Sequence, residues 1–348
     1  MHMRIVVLGG GLSPERDVSK KSASLIANAL IRKGHSVALI DLYEGIENDE
    51  PVDYLFKRGA DEFTYEIPEE EPDLNELIRE HGGRKEWLGP RVIEICKACD
   101  CVFVGLHGSH GEDGRMQAVL EAFGIRYTGC GYTGSVIAMD KDLSKRLIHG
   151  AGYKTAKWFT AYGSEITYDR CVNEIGLPFV VKPIGCGSSC GVSIVHSEDE
   201  FDAAMAFAER YEQRIIIEQY IKGREITVSI LNGKALPITE IIPHEGFYDY
   251  KNKYQSGLTT HVCPAELGEV NTERAKKIAE EEFDLLRMSA YGRIDMMFDG
   301  EDFWFIEANN LPGMTNTSLL PEAAAKAGIE YEDLCEMIAM KAGKKKHE

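Results

Sequence analysis

At 348 residues, 44% hydrophobic and 28% charged, the chain has the composition of a soluble globular protein and is too long for one ordinary core, so two or three domains are expected. A net charge of −18 argues against a nucleic-acid-binding surface, which needs clustered Lys and Arg; a nucleotide substrate needs only a few local basic groups. No apolar run can span a bilayer, the opening MHMRIVVLGGG lacks a signal-peptide pattern, and nine scattered cysteines fit a reducing cytoplasm.

Residues 4–8, RIVVL, read as a buried strand ending in Gly9-Gly10-Gly11. Ser13 follows as an N-cap, Pro14 opens a helix and Glu15 sits in its first turn, where a carboxylate complements the helix dipole and could also receive a substrate ammonium. Val18, Leu25, Ile26, Ala29 and Leu30 mark one helical face, and residues 36–41 form the next strand, closing a βαβ unit. A glycine turn at a helix N-terminus can hold an anion or dinucleotide, but GGGLSPE is not GxGxxG. Residues 44–90 are acidic and interrupted by Pro and Gly, as in a peripheral insertion carrying one short helix.

Order returns with a strand at 101–106, a loop HGSHGEDG, a helix at 115–123 and a strand near 125–128. Cys96, Cys99 and Cys101 near His107 and His110 lack the second CxxC of a zinc set, so buried thiols are expected there. His107 ends a strand, where open parallel sheets place their ligands; taken alone, a single His is more often structural. The helix DKDLSKRLIH at 140–149 carries several Lys and Arg, ordinarily a solvated face.

Next comes the strand PFVVKP with Lys182 near its end, then GCGSSCG and a second strand at 192–195. This glycine loop joins two strands, unlike a Walker loop, yet its backbone N–H groups can still cover phosphates; Lys182 favours that over a plain flexible tip. A helix at 198–211 leads to the strands IIIEQYI and ITVSIL, with Glu218 and Glu225 flanking the turn between them. These carboxylates could receive a purine amine or ribose hydroxyls, although exposed turn charges would read the same. Residues 244–263 are polar, aromatic and aperiodic, a length of loop that is usually functional.

A helix at 272–290 leads into RIDMMFDGEDFWFIEANNLPGMTNTS, read as a hairpin of strands 292–298 and 303–308 around Asp299-Gly300, then a loop. Arg293 and Asp295 share one face of the first strand, and Glu307 and Asn309 one face of the second. Brought together, these oxygen donors suit Mg²⁺ bound jointly with phosphates; apart, they are a solvated polar face. A plain two-residue loop at 300–301 would pair Asp295 with Ile306 and turn Glu307 away. Convergence therefore demands a three-residue loop or a β-bulge. A helix at 321–327 and a last one ending near Ala342 close the chain.

The ordered motifs LGGGLSPERDVS, LHGSHGEDGRMQ, TGCGYTGSVIAMDK, PFVVKPIGCGSSCGVS, IIIEQYIKGREITVSIL, FYDYKNKY, GRIDMMF and EANNLPGMTNTS resemble the D-alanine–D-alanine ligase family of the ATP-grasp superfamily. The resemblance covers nearly the whole chain outside the 44–90 insertion. It implies an α/β fold (α+β in parts) of three domains. These are a Rossmann-like substrate domain at 1–129, a central ATP-grasp subdomain at 130–215 and a C-terminal one at 216–348 that carries the metal site and the loop 244–263. It also implies ATP and two Mg²⁺ (or Mn²⁺) ions as cofactors, D-alanine as substrate, peptidoglycan precursor synthesis in the cytoplasm, and commonly a homodimer.

By resemblance, Lys141 and Lys182 bind the ATP phosphates, Ser188 and Ser189 cover them, and Lys253 reaches the γ-phosphate. Glu218 contacts adenine and Glu225 the ribose. Asp295, Glu307 and Asn309 hold the metals, while Arg293 and the Gly313 N–H stabilise the oxyanion of the tetrahedral intermediate. Glu15 binds the first D-alanine's ammonium and links through Ser188 to Tyr254; His107 lines the substrate site, and Ser318 takes the second carboxylate. The Lys253-Tyr254 pair favours D-alanine over D-lactate as second substrate, with D-serine open. The chain departs from the family at Cys186, where glutamate is common, and at Lys251, where an acidic residue often stands. Competing readings are an ATP-grasp ligase joining D-alanine to D-serine or another D-amino acid or small amine, an NAD-dependent oxidoreductase on the N-terminal βαβ unit, disfavoured by the missing GxGxxG, and a non-catalytic nucleotide-binding regulator.

Overall fold

Strand β1 (Arg4–Gly9) is flanked by β2 (Ser36–Asp41) and β3 (Cys101–Val104) in a parallel sheet of order β2-β1-β3. The computed structural model in which it is seen describes residues 2–57, 63–68, 70, 72–187, 190–243 and 259–343. The strands are uninterrupted apolar runs because both faces are covered. On one side lies the helix Arg16–Arg32, which buries Ala23, Ile26, Ala29 and Leu30 against the sheet core, with Val18 also buried.

That helix begins later than Ser13 predicts. Residues 13–15 form a preceding turn, in which Ser13 Oγ accepts from the Glu15 N–H at 3.1 Å, and Glu15 itself occupies the N-cap position. The expected strand at 125–128 is reduced to one parallel bridge, Val102 to Tyr127. The ladder stops because the Thr128 hydroxyl, not a backbone carbonyl, takes the Val104 N–H at 3.0 Å. The 44–90 segment holds a short 3-10 turn, Val52–Leu55, and a helix, Leu74–Glu80. It is less peripheral than its composition suggests. Tyr65 donates to Asp17 at 2.5 Å, Asn28 bonds both ways with Phe63, and Glu44 pairs with Arg16.

The second sheet is antiparallel, formed by β4 (Trp158–Tyr162), β5 (Phe179–Pro183), β6 (Ser193–Val195) and β7 (Arg214–Gln219) in the order β4-β7-β5-β6. Its core of Phe179, Val181, Ile215 and Ile217 is covered by the helices Tyr168–Glu174 and Glu198–Glu209, through Cys171, Phe201 and Met205. β7 lies across residue 215, where the sequence division between central and C-terminal parts falls.

The third sheet contains β8 (Arg224–Leu231), β9 (Lys234–Ala235), β10 (Thr239–Pro243), β11 (Thr259–Val262), β12 (Tyr291–Phe298) and β13 (Phe303–Asn309). Its order is β11-β10-β8-β12-β13, with β9 beside β8. The end of the long aperiodic segment is thus the strand β11, and 244–258 lies outside the described residues. The helix Glu269–Leu285 packs on this sheet through Ala275, Ala279 and Phe283. It stops five residues before the predicted end, because Arg287 adopts the left-handed conformation at φ 56°. The Met288 N–H then bonds to Phe283 O and the Arg287 N–H to Asp284 O, a Schellman closure that ordinarily uses glycine.

The helices Tyr132–Met139 and Lys141–Gly150 lie against the third sheet, burying Ala138 and Ile148 in its core. The final helices, Leu319–Lys326 and Tyr331–Met340, return to the first sheet, with Leu334, Cys335, Ile338 and Ala339 in its core. The first of them starts two residues before the predicted 321.

Candidate active site

The β12–β13 hairpin meets the demand the sequence sets. Pairing runs Phe298–Phe303, Met297–Trp304, Met296–Phe305, then skips Ile306 to give Asp295–Glu307, Ile294–Ala308 and Arg293–Asn309. The bulge at Ile306 moves Glu307 onto the face of Asp295. Arg293, Asp295, Glu307 and Asn309 therefore share one face, half of it supplied by each strand.

Asp295 and Arg293 are buried and joined: Arg293 Nη2 lies 3.0 Å from Asp295 Oδ2. Thr227 on β8, opposite Asp295, donates to Asp295 Oδ1 at 2.5 Å and accepts from Arg293 Nε at 3.1 Å. Glu307 faces Lys141, whose Nζ is 3.2 Å from Oε2 and also donates to the Cys186 carbonyl at 2.6 Å. Burial would lower the Lys141 ammonium pKa, but the Glu307 carboxylate outweighs it and the net shift is upward. Asn309 Oδ1 is buried and has no hydrogen-bond partner among the described residues. An orphaned amide oxygen beside two facing carboxylates fits a hard divalent cation. No group of three His, Cys, Asp or Glu side chains suited to a metal occurs among the described residues.

Two adjoining cavities meet at Lys141, Cys186 and Glu307. One, of about 90 Å³, is enclosed by Glu15, His107, Glu112, Arg293, Gly313 and Ser318. It brings the first sheet's loops to the hairpin. His107 is buried, with Nε2 3.0 Å from Ser22 Oγ and Nδ1 3.7 Å from Glu112 Oε1. Gly108, at φ +71°, passes so close to Glu15 and Ser13 that an added Cβ would lie 2.8 Å from Glu15 Oε2 and 2.4 Å from Ser13 Oγ. A Cβ on Gly187 would stand 3.4 Å from Glu15 Oε2 and 3.5 Å from Glu112 Oε2, so the glycine loop lies directly over these carboxylates. Ser318 Oγ accepts from the Thr315 N–H at 3.0 Å, and a Cβ at Gly313 would be 2.7 Å from it.

The second cavity, about 150 Å³, lies between the second and third sheets. Val180, Ile194, Ile221, Met297 and Trp304 give it apolar walls, and Lys182, Glu218, Glu225 and Asp295 charged ones. Glu218 is buried between two ammonium groups, with Lys182 Nζ at 2.5 Å and Lys145 Nζ at 2.9 Å. Burial alone would raise its pKa; the two lysines reverse that and bring it down to about 2. Glu218 is therefore an acceptor already engaged by cations rather than an exposed turn charge.

Composition misleads most at the helix Lys141–Gly150. Lys141 and Lys145 point inward, 5% and 0% exposed, one turn apart on one face. The i, i+4 spacing was the available signal for Lys145, and charge masked it. Thr227 and Glu112 were also missed: both lie inside motifs quoted above, but nothing in the local spacing singles them out there. Cys186 lines both cavities, and burial pushes its thiol up to about 11. Ser188, Ser189, Lys251, Lys253 and Tyr254 lie outside the described residues. Near the first sheet, Cys96 and Cys101 are buried free thiols, the latter raised to about 12 by burial.

Family models cover nearly all of the chain: "D-ala D-ala ligase N-terminus" matches residues 4–130 and "D-ala D-ala ligase C-terminus" residues 147–340. The chain belongs to the D-alanine–D-alanine ligase family. Its fold is the ATP-grasp fold of that family, and as a family member it is an ATP-dependent carbon–nitrogen ligase. A D-alanine–D-alanine ligase from Pediococcus pentosaceus is 42% identical over 350 residues, covering 99% of this chain and 98% of that protein. One from Lacticaseibacillus casei is 38% identical, over 95% of this chain and 93% of its own length. Among solved structures, the Bacillus anthracis D-alanine–D-alanine ligase superposes with a TM-score of 0.75 at 33% identity, covering 97% of this chain and 96% of its own. The same enzyme complexed with ATP gives 0.74 at 32% identity, over 98% and 96%.

Proposed function

We propose that the chain joins two D-alanine molecules into D-alanyl-D-alanine at the expense of ATP, through an acyl phosphate. The observation that carries this reading is the bulged hairpin, which sets Asp295 and Glu307 face to face beside Arg293, Lys141 and Asn309 Oδ1, which has no hydrogen-bond partner among the described residues. A carboxylate is a poor acyl donor because its leaving group would be oxide. Phosphorylation supplies a better one, and catalysis then rests on positioning and charge stabilisation.

The second cavity suits the nucleotide. Its apolar walls accept a purine, Glu218 and Glu225 present acceptors for its amine and the ribose hydroxyls, and Lys141 and Lys182 lie toward the phosphates. Ser188, Ser189 and Lys253 would add to phosphate binding. Asp295, Glu307 and Asn309 would hold Mg²⁺ or Mn²⁺, which when bound neutralises phosphate charge. The smaller cavity suits the amino acids. Glu15 receives the first ammonium, with His107 beside it, and Ser318 receives the second carboxylate. Arg293 and the Gly313 N–H stabilise the oxyanion as the second amine attacks the acyl phosphate carbonyl. Glu15, Ser188 and Tyr254 would latch the long loop over the site, keeping water from the acyl phosphate.

This activity fits peptidoglycan precursor synthesis in the cytoplasm by a homodimer; among the described residues no helix is long and apolar enough to cross a membrane. Phosphate release with ATP and Mg²⁺ across D-alanine, D-serine and D-lactate, with product masses, tests the reading. D-alanine alone is expected to drive release and yield the dipeptide. A mixed product with D-serine at equal rate would move the second-substrate assignment, and no D-alanine-dependent release would overturn the activity.

A further inference from the structure

Glu218 is held by two lysines whose situations differ. Lys182 lies on β5, lines the nucleotide cavity and ends 2.5 Å from Glu218 Oε1. Lys145 is wholly buried, 2.9 Å from Glu218 Oε2, and its Nζ also donates to Thr155 Oγ1 at 2.7 Å. Thr155 in turn donates to the Phe305 carbonyl at 3.0 Å, on the hairpin that carries Glu307. Trp158, paired with Glu218 across β4 and β7, covers the Lys145 ammonium at 5.2 Å from its ring centre. Lys145 does not line either cavity.

We propose that Lys145 is a positioning residue: it is the fixed counter-ion of Glu218, and its presence frees Lys182 to leave that carboxylate for the nucleotide's phosphates. The inference rests on assigning the second cavity to the nucleotide. A buried carboxylate is held ionised by a neighbouring cation, and stripping its last one is strongly unfavourable. With Lys145 in place Glu218 keeps a partner when Lys182 moves. Without it, Lys182 is the one ion-pair partner of Glu218 left among the described residues and is held there, so nucleotide binding must break that pair. Lys145 also ties β7 to β13 through Thr155, linking the two sheets between which the nucleotide would sit.

The test is Lys145→Met, close in volume and without charge, in the full-length enzyme. The expected result is that the KM for ATP and the ATP Kd measured by calorimetry rise about tenfold or more, the loss of one buried ionic partner. kcat at saturating ATP and the KM for D-alanine should stay within about threefold, because the hairpin groups are untouched. Glu218→Gln removes the charge that needs a counter-ion, so adding Lys145→Met to it should weaken ATP binding little further. Unchanged ATP affinity, a kcat loss at constant KM, or full additivity in the double variant would each overturn the proposal. If Lys145→Met alone does not fold, Thr155→Val, which leaves the lysine without its second partner, is expected to weaken ATP binding about threefold; no change there would overturn it as well. Calorimetry reads the effect whether or not D-alanine is the substrate, so failure of this proposal and failure of the ligase reading are distinguishable.

Discussion

Single side chains in this site are bound to one another before any ligand is considered. Glu307 neutralises Lys141, Asp295 neutralises Arg293, and Glu218 is shared by Lys145 and Lys182. Each carboxylate proposed for metal or nucleotide thus lies next to a cation proposed for phosphate or oxyanion (Lys141, Arg293 or Lys182), and Glu218 has Lys145 in addition. Each of these three carboxylates already has a cation partner in the free protein, so binding exchanges partners rather than creating buried charge. Glu307→Gln keeps the shape and can still accept from Lys141 but loses the charge facing Asp295. We expect kcat to fall on the order of 100-fold or more, with the thermal transition and circular dichroism of the parent. Near-parental turnover would remove Glu307 from the metal role.

The hairpin is the element on which these pairs depend, and its turn is built as firmly as its bulge. Asp299 Oδ1 accepts from the Glu301 and Asp302 N–H groups at 2.8 and 2.7 Å, and Oδ2 from Trp304 Nε1 at 2.8 Å. Those bonds from the Asp302 and Glu301 backbone and the Trp304 indole hold the Asp299 carboxyl down to about 2. The folded pKa lies below the unfolded one of about 4, so the stabilisation is complete above pH ~4 and is lost as pH falls towards 2. Asp299→Ala should therefore lower the melting temperature near pH 7, and its difference from the parent should shrink as pH falls from about 4 towards 2. A difference independent of pH over that window would show that the carboxylate's charge does not stabilise the turn.

At the scale of the whole molecule, the last helix closes the first sheet's core rather than the sheet it follows in sequence. Arg32 and Lys33 pair with Glu332 and Asp333 at its edge, while Leu334 and Ile338 fill the interior. The C-terminal hairpin and the N-terminal loops that bound the smaller cavity are thereby tied together from both ends. Ile338→Ala leaves a cavity in the first core, about 30 residues from the hairpin in sequence, at a cost of about 2–5 kcal/mol. We expect a melting temperature lower by several degrees, with the KM for ATP unchanged at a temperature where the variant is folded. A change in ATP affinity would mean that the terminal helix shapes the nucleotide cavity.

Period and punctuation in the amino-acid sequence were enough for β1, β2, the glycine-loop hairpin and the β12–β13 pair, because apolar runs bounded by Gly, Pro and Asp have few local alternatives. The motif order was enough for the family, since many weak spacings in sequence are jointly specific. Tertiary structure decided what local pattern cannot encode. Arg287 ends a helix in a conformation usually left to glycine, and a threonine hydroxyl cuts short the strand expected at 125–128. Lys145 is buried although its helix reads as solvated, because Glu218 from a strand more than 70 residues away reaches it. The same holds for the bulge at Ile306. Sequence spacing posed the choice between a solvated face and a shared one, and only pairing β12 between β8 and β13 chose the register that sets Glu307 opposite Asp295.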